Sequence, residues 1–194
     1  MGIYEPAEDS FLLSDSVKEY LESSANKQIR ILDMGTGSGI QAKICKNLGF
    51  KNILAVDINQ QAVKELKKQK IKAIYSNLFS KINKKDKFDL IIFNPPYLPE
   101  DKAEPKDSRV ETTAGKQGYE LIIQFLKQAK SHLKKNGRIL LLFSSLSKPD
   151  VIKKQTKALG YSLKQVNKKK LFFEELYVYK IKRKKVSYIL YTSS

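Results

Sequence analysis

The chain has 194 residues, 41% of them hydrophobic, and this size predicts a single domain (1–194) with a sizeable core. Its 37 lysines and arginines outnumber 20 acidic residues, which gives a formal net charge of +17. No apolar run approaches a membrane span, no signal-peptide pattern opens the chain, and the single cysteine, Cys45, excludes an internal disulfide. We therefore expect a cytoplasmic protein with no membrane partner and no metal site.

Apolar segments alternate between strand and helix patterns along the chain. A helix is expected over 8–21. It is followed by strands over 29–34, 53–57, 73–75, 88–93 and 138–143, and by helices over 40–48, 60–69, 118–133 and 149–159. This alternation predicts an α/β fold with a mostly parallel sheet and helices on both faces.

The C-terminal part of the chain adds smaller features. Asn136-Gly137 is expected to turn the chain into the fifth strand, and 161–166 with 176–181 is expected to form an antiparallel C-terminal pair. Residues 187–192 fit either an edge strand or a tail. The lone histidine, His132, is expected at a helix cap or on the surface.

A glycine-rich turn follows the first predicted strand. The letters G-T-G-S-G at 35–39 lead into the next helix, and glycines allow both a tight turn and the close approach of a ligand. The spacing differs from the dinucleotide fingerprint, whose third glycine comes one residue later, and the Gly-Lys-Ser/Thr ending of a phosphate loop is missing. Taken alone, this turn indicates only a tight connection.

Two carboxylates near the turn indicate a class of ligand. Asp57 ends the second strand, 18 residues after Gly39, close to the spacing at which an acidic residue binds a ribose in nucleotide-binding α/β folds. Asp33 lies directly before the turn and is placed to hold an ammonium group. A ligand with a ribose, a cationic amine and no phosphate fits both, and this predicts S-adenosylmethionine as the cofactor.

The tetrapeptide N-P-P-Y at 94–97 follows the apolar strand 88–93. Neither proline can donate to a sheet ladder, and each restricts the residue before it, so the chain must leave the sheet here. The Asn94 amide and the carbonyls beside the prolines are then free to bind a flat group that bears NH2, such as an amide or a nucleobase. A plain strand-to-loop exit would also account for the Asn-Pro pair alone.

These motifs, taken together, resemble the HemK family of protein-glutamine N5-methyltransferases. The shared features are N-P-P-Y, D-M-G-T-G-S-G at 33–39, the opening Y-E-P-A-E-D-S-F-L-L at 4–13, and T-A-G-K-Q-G at 113–118. The opening is similar to the eukaryotic and archaeal branch, which methylates the glutamine of the Gly-Gly-Gln motif in class 1 release factors. The resemblance implies a class I S-adenosylmethionine-dependent methyltransferase (Rossmann-like) fold, with residues 1–28 as an N-terminal helix that covers the cofactor.

The resemblance also implies which residues form the site. In this family the methionine end of the cofactor lies near the first helix, and the ribose hydroxyls contact the aspartate that ends the second strand. Asn77 is a departure, because the family usually has an aspartate on the adenine amino group at that place. The implied cofactor-binding residues are Glu8, Ser10, Asp33, Gly35, Thr36, Gly37, Gly39, Asp57, Ile58, Asn77, Leu78 and Asn94.

The expected reaction is direct methyl transfer to an amide nitrogen. Asn94 and the Pro95 carbonyl would accept the two N–H bonds of the target, and these bonds strengthen as positive charge develops on the nitrogen. Pro96 shapes the backbone, and Tyr97 supplies a flat wall. The long polar segment 98–117 is predicted to be a substrate loop, in which Arg109 and Gly115 contact the substrate.

Other acceptors and partners remain open from the sequence. N-P-P-Y is also similar to the motif of adenine-N6 DNA and RNA methyltransferases, and a lysine acceptor or a non-enzymatic RNA-binding factor are further alternatives. Lysines are spread along the whole chain, and we call them the lysine coat. This coat fits either a compositional habit of the source genome or contact with RNA or the ribosome. By resemblance, a small zinc-binding activator protein is expected to form a heterodimer with this chain by covering a sheet edge.

Overall fold

The computed structural model describes residues 3–97 and 118–184. Its helices are α1 (Glu8–Glu22), α2 (Ile40–Asn47), α3 (Gln60–Lys68), α4 (Glu120–His132) and α5 (Pro149–Ala158), with a short 3-10 turn at Ser145–Ser147. Its strands are β1 (Ile31–Met34), β2 (Ile53–Asp57), β3 (Ala73–Tyr75), β4 (Phe88–Phe93), β5 (Leu133–Ser144), β6 (Tyr161–Lys170) and β7 (Glu175–Arg183). The alternation predicted from the apolar patterns is therefore present.

All seven strands belong to one sheet, in the order β3-β2-β1-β4-β5-β7-β6. The pairs from β3 to β5 are parallel, whereas β7 pairs antiparallel with both β5 and β6. The predicted fold, a mostly parallel α/β sheet with an antiparallel C-terminal pair, is confirmed.

Alternate residues of the central strands pack against helices on opposite faces. In β4, Leu90 and Ile92 join the core cluster under α1, α2 and α3, while Ile91 and Phe93 join the cluster under α4 and α5. Successive side chains of a strand point to opposite faces, so a strand that is covered on both sides needs a continuous apolar run. This is why 88–93 reads as apolar throughout.

The predicted turn at Asn136-Gly137 is wrong, because these two residues lie inside β5. Leu133 pairs with Phe88 and Arg138 pairs with Leu90, so residues 134–137 form an irregular bulge opposite one residue of β4. A Cβ on Gly137 would lie 2.9 Å from the Phe88 carbonyl oxygen, so this close approach requires glycine.

His132 ends α4, as expected, but its predicted role as a helix cap or surface residue is wrong. The ring is buried, stacks on Phe79 at 4.7 Å between centroids, and places Nδ1 3.0 Å from the Asp86 carbonyl oxygen. Cys45 is buried as expected, and burial raises the pKa of its thiol. The segment 187–192 lies outside the described residues.

Across residues 3–97 and 118–184, no helix is both long enough and apolar enough to cross a membrane.

Candidate active site

The candidate site lies at the carboxyl ends of the parallel strands, where the strand order reverses between β1 and β4. Connections leave β1 toward β2 and β4 toward β5, in opposite directions along the sheet, and this arrangement opens a crevice. A cavity of ≈ 430 Å³ occupies the crevice. Residues that follow β1, β2, β3 and β4 line it, together with the N-terminal turn of α1.

Most of the predicted site residues line this one cavity. They are Ser10, Asp33, Gly35, Thr36, Gly37, Asp57, Ile58, Asn77, Leu78, Asn94, Pro95, Pro96 and Tyr97. Two predicted cofactor residues lie elsewhere: Glu8 forms an ion pair with Lys169, and Gly39 packs against Leu66 at the start of α2. Arg109 and Gly115, predicted to contact the substrate, lie outside the described residues.

Asp33 connects the end of β1 to the glycine turn and to α2. Its Oδ2 accepts hydrogen bonds from the Thr36 hydroxyl at 2.6 Å and from the Ala42 N–H at 3.1 Å. Ala42 lies in the first turn of α2, and the N-cap residue Gly39 has no side chain to satisfy that N–H, so Asp33 does so. Burial raises the pKa of Asp33 to about 7, although both hydrogen bonds oppose the shift.

Asp57 connects the end of β2 to the glycine turn and to α3. Its two carboxylate oxygens accept the Gly37 N–H at 2.7 Å and the Asn59 N–H at 2.8 Å. Burial raises the pKa of Asp57, and the backbone hydrogen bonds lower it. Each carboxylate oxygen has a second lone pair, which suits the carboxylate to accept hydroxyl groups from a ligand in the cavity.

Asn94 is held in one orientation by a carboxylate from α1. The Asn94 Nδ2 donates to Asp9 Oδ2 at 2.9 Å, while Asp9 Oδ1 accepts the Tyr4 hydroxyl at 2.9 Å and the Ser10 N–H at 2.6 Å. Because a carboxylate can only accept here, the NH2 of Asn94 must face Asp9 and its oxygen must face away. That oxygen, Oδ1, is buried and has no hydrogen-bond partner among the described residues.

The rest of the N-P-P-Y motif is positioned by the end of β5. The Tyr97 carbonyl oxygen accepts the Ser147 hydroxyl at 2.8 Å, and Ser147 belongs to a capping box with Ser144. Burial raises the pKa of the Tyr97 phenol, so the ring is a neutral wall of the cavity at physiological pH.

The loop after β3 carries Asn77 and Leu78 to the cavity. Ser76 donates its N–H to the Asp57 carbonyl oxygen at 2.9 Å and its hydroxyl to the Leu78 carbonyl oxygen at 2.8 Å. These bonds hold the loop against the end of β2.

Several lining residues were missed by the sequence reasoning, and Asp9 is the most important of them. It is 4% exposed and lies on the same helix face as Leu12, Leu13 and Val17. Asp9 could have been found from the sequence, because it is a carboxylate at helical spacing within an otherwise apolar helix face. Other missed lining residues are Tyr4, Met34, Ser38, Ile40, Gln41, Asn59, Ser76, Phe93 and Leu121.

The sheet order and the cavity at its switch point define a class I methyltransferase. Residues 12–172 match the Methyltransferase small domain family. A Methanocaldococcus jannaschii protein assigned as a protein N5-glutamine methyltransferase is 36% identical over 184 residues, covering 91% of this chain and 89% of the relative. The chain belongs to the HemK-type protein N5-glutamine methyltransferases.

Two further comparisons agree with this family. A release factor glutamine methyltransferase of Shewanella oneidensis is 34% identical over 151 residues, which cover 70% of this chain and 51% of that protein. A solved chain of the E. cuniculi Mtq2–Trm112 complex, which is responsible for methylation of the eRF1 translation termination factor, superposes with a TM-score of 0.73 at 25% identity. That superposition covers 94% of this chain and 99% of the other.

Proposed function

We propose that this protein transfers a methyl group from S-adenosylmethionine to the side-chain amide nitrogen of a glutamine, in the Gly-Gly-Gln motif of a class 1 translation release factor. The nitrogen forms a bond to the methyl carbon, the carbon–sulfur bond breaks to leave S-adenosylhomocysteine, and one amide proton is released to solvent. The observation that carries the proposal is the buried, unpartnered Oδ1 of Asn94. A buried acceptor without a partner costs about 1–3 kcal/mol, and Asn94 lines the cavity, so this arrangement supports a ligand that donates a hydrogen bond to Asn94.

The chain's own groups can orient a primary amide and favour its reaction. Asn94 Oδ1 and the Pro95 carbonyl oxygen would each accept one N–H of the target, and Tyr97 would stack on its plane. An amide nitrogen is a weak nucleophile, because its lone pair is delocalised into the carbonyl. Fixed acceptors lower the barrier, since their bonds strengthen as the nitrogen becomes more positive.

The residues of the cavity fit the cofactor. Asp57 would accept the ribose hydroxyls, Asp33 would pair with the cationic amine, and Asn77 would contact the adenine amino group. A Cβ on Gly35 would lie 3.3 Å from the Phe93 ring. Glycine at this position therefore leaves space for the cofactor beside N-P-P-Y. When bound, S-adenosylmethionine supplies a methyl group on a sulfonium centre that is open to nucleophilic attack.

The domain organisation completes the proposal. Residues 1–194 would act as one methyltransferase domain. Residues 1–28 would cover the cofactor, and residues 98–117 would form a substrate loop with Arg109 and Gly115. Ser10 and Asp9 of α1 line the cavity, which supports the covering role of the N-terminal segment.

The release-factor substrate and an activator partner are supported by the relatives. The Shewanella relative is named for glutamine methylation of release factors, and the E. cuniculi structure is a complex of two proteins. We propose that a small zinc-binding protein likewise forms a heterodimer with this chain.

A basic groove supports an additional contact with RNA, such as the RNA of a ribosome that carries the release factor. It lies at the amino end of β5, whereas the cavity lies at the carboxyl ends of the parallel strands. The groove consists of Lys87, Lys127, Lys130, Lys134, Lys135 and Arg183. Arg183 and Lys134 have partners in the protein, whereas Lys127 and Lys135 have no ion pair within the described part of the chain.

The acceptor is tested with labelled S-adenosylmethionine. The protein is offered a release-factor fragment with its Gly-Gly-Gln motif, the same fragment with that glutamine changed to alanine, and bulk RNA, in parallel. We expect label only in the intact fragment. Label in RNA would support the adenine-N6 alternative, and equal label in both fragments would support a lysine acceptor.

A variant separates chemistry from binding in the same assay. Asn94→Ala should retain affinity for S-adenosylmethionine but lose methyl transfer, because the target amide is no longer held. Full activity of this variant would refute the role of the pocket.

A further inference from the structure

The turn between β6 and β7 exposes two aromatic side chains. This turn, here called the hairpin tip (Leu171–Glu174), is closed by a hydrogen bond from the Leu171 N–H to the Glu174 carbonyl oxygen at 2.8 Å. Phe172 is 91% exposed and Phe173 is 86% exposed, and their rings meet edge to face at 4.6 Å between centroids. Turns favour glycine and small polar residues, so two adjacent exposed phenylalanines need an explanation.

The strands that flank the hairpin tip are connected to the candidate active site through the short 3-10 turn and the start of α1. The Glu175 N–H donates to the Ser145 hydroxyl at 3.0 Å, and Ser147 of the same short turn donates to the Tyr97 carbonyl oxygen. On the other strand, Lys169 pairs with Glu8 at the start of α1. Leu171 packs on the same core cluster as Tyr97, so only the two phenylalanines of the hairpin tip face outward.

Glu174 gives the hairpin tip an acceptor that is not used within the described part of the chain. Its Oε2 is buried and has no hydrogen-bond partner in the described residues. The pKa values of Tyr4 and Tyr97 are raised, mainly by burial and in part by the charges of Asp9 and Glu174, which is consistent with Glu174 lying close to both rings.

We propose that the hairpin tip is the docking site for the polypeptide segment that carries the target glutamine. Phe172 and Phe173 contact apolar side chains next to the glutamine, and Glu174 accepts an N–H of the segment. This inference rests on the proposed function and extends it to substrate recognition. Glu174 favours a peptide, because a carboxylate accepts an N–H and repels phosphate. Exposed Lys168 and Lys170 flank the hairpin tip, so RNA binding is an outcome that the test must separate.

The test compares two fluorescent peptides that contain Gly-Gly-Gln, one with apolar flanking residues and one with serines in their place. Steady-state kinetics give KM and kcat, and anisotropy with S-adenosylhomocysteine present gives peptide affinity. The double variant Phe172→Ser, Phe173→Ser should raise KM for the apolar peptide about tenfold, as expected for lost aromatic burial. Its kcat, its KM for the serine peptide and its cofactor affinity should stay unchanged.

Glu174→Gln should raise KM for both peptides on the order of tenfold, because a hydrogen bond to a charged acceptor is replaced by a weaker one to a neutral amide. Two matched controls should behave like the unmodified protein. Glu175→Gln changes the neighbouring carboxylate, which already accepts the Tyr177 hydroxyl at 2.7 Å, and Tyr75→Ser removes a half-exposed ring from β3 at the other side of the sheet.

Unchanged KM values in the hairpin variants, or equal losses with both peptides in the phenylalanine variant, would overturn the docking role. Loss of bulk RNA binding with intact peptide binding would do the same. Failure of the unmodified protein to methylate any glutamine peptide would instead contradict the proposed function. In that case the anisotropy comparison still decides whether the hairpin tip binds the apolar peptide.

Discussion

One carboxylate fixes the orientation of the Asn94 side-chain amide. Asp9 accepts the Asn94 NH2, and this leaves the Asn94 oxygen as the free acceptor. A free amide at the end of a strand could present either end to a ligand. The hydrogen bond from a second element removes that ambiguity, so Asp9 acts on the reaction through Asn94.

The role of Asp9 predicts a loss of turnover without a matching loss of cofactor affinity. Asp9→Asn should lower kcat at least tenfold, because the charge-assisted bond is replaced by a weaker one that also permits the reversed amide. The control is Asp15→Asn on the same helix, where the carboxylate is exposed and meets Lys18 at 3.5 Å. Equal kcat in both variants would show that Asp9 does not position Asn94.

The raised pKa of Asp33 predicts that cofactor binding depends on pH. Burial favours the protonated carboxyl in the folded protein up to a pKa of about 7, against 3.8 without the protein environment. For folding, this contribution is fully present below pH 3.8 and is lost as pH rises through about 7. An ammonium ligand needs the ionised carboxylate, so binding should favour the higher pH.

Calorimetry between pH 7.5 and 5.5 should therefore show weaker S-adenosylmethionine binding at lower pH, approaching tenfold for each unit below the pKa of Asp33. Asp33→Asn should bind more weakly at pH 7.5 and with a smaller pH dependence. An identical slope in the variant would assign the dependence to another group, with Asp57 the first candidate, since its pKa is also raised by burial.

At the scale of the elements, the glycine turn depends on the packing of α3. Gly39 has φ +79°, and a Cβ there would lie 2.2 Å from Cδ2 of the buried Leu66. The connection from β1 to α2 can therefore approach α3 only without a side chain. This contact explains the third glycine of the turn as a packing requirement, since Gly39 is not among the residues that line the cavity.

Gly39→Ala should lower the free energy of unfolding by about 2–4 kcal/mol, from left-handed strain and overpacking together. Gly49→Ala is the matched control, because Gly49 has φ +87° but nothing within 4 Å of its virtual Cβ. Its cost should be only the strain, about 1 kcal/mol. Urea denaturation measures both, and equal losses would mean that the Leu66 side chain moves aside freely.

α1 is another element whose position matters more than its helical propensity. Gln41 of α2 donates its Nε2 to the Ser10 carbonyl oxygen at 2.9 Å, and the Ser14 hydroxyl lies 3.3 Å from Gln41 Oε1. These contacts fix the first turn of α1 beside the glycine turn, and Asp9 reaches Asn94 from there. The N-terminal helix is thus part of the pocket wall.

In the whole molecule, the basic groove and the candidate active site lie at opposite ends of the parallel strands. The cavity is lined by Asp9, Asp33 and Asp57, whereas the basic groove lies at the amino end of β5. This separation allows one surface to contact RNA while the other receives a polypeptide. The net charge of +17 alone could not distinguish that arrangement from an even lysine coat.

RNA binding should therefore depend on the basic groove and on salt. The double variant Lys127→Ala, Lys135→Ala should weaken binding of bulk RNA and reduce the slope of log K against log salt by about 1.4–1.8, the value for two lost phosphate contacts. The control Lys64→Ala, Lys67→Ala removes the same charge from the exposed side of α3. Equal losses of RNA binding in the two double variants would indicate that binding depends only on the net charge of the protein.

The order of the elements, and the site residues that directly follow strands, could be predicted from the amino-acid pattern. Apolar runs such as 88–93 identify strands that are covered on both faces, and polar residues at the carboxyl ends of parallel strands share one edge of the sheet, where the switch point lies. Asp33, Asp57 and Asn94 could be predicted for that reason. N-P-P-Y could be recognised because two prolines end a strand by local chemistry alone.

The side chains from distant segments that complete the site became known from the folded chain alone. Asp9 and Asn94 are 85 residues apart in the chain, and no local pattern encodes their hydrogen bond. Asn136-Gly137 is a typical turn sequence, yet these residues lie in β5 and form part of a bulge opposite β4. Local propensities are worth about 1 kcal/mol or less per residue, whereas sheet pairing and burial add over many residues and prevail where the two conflict.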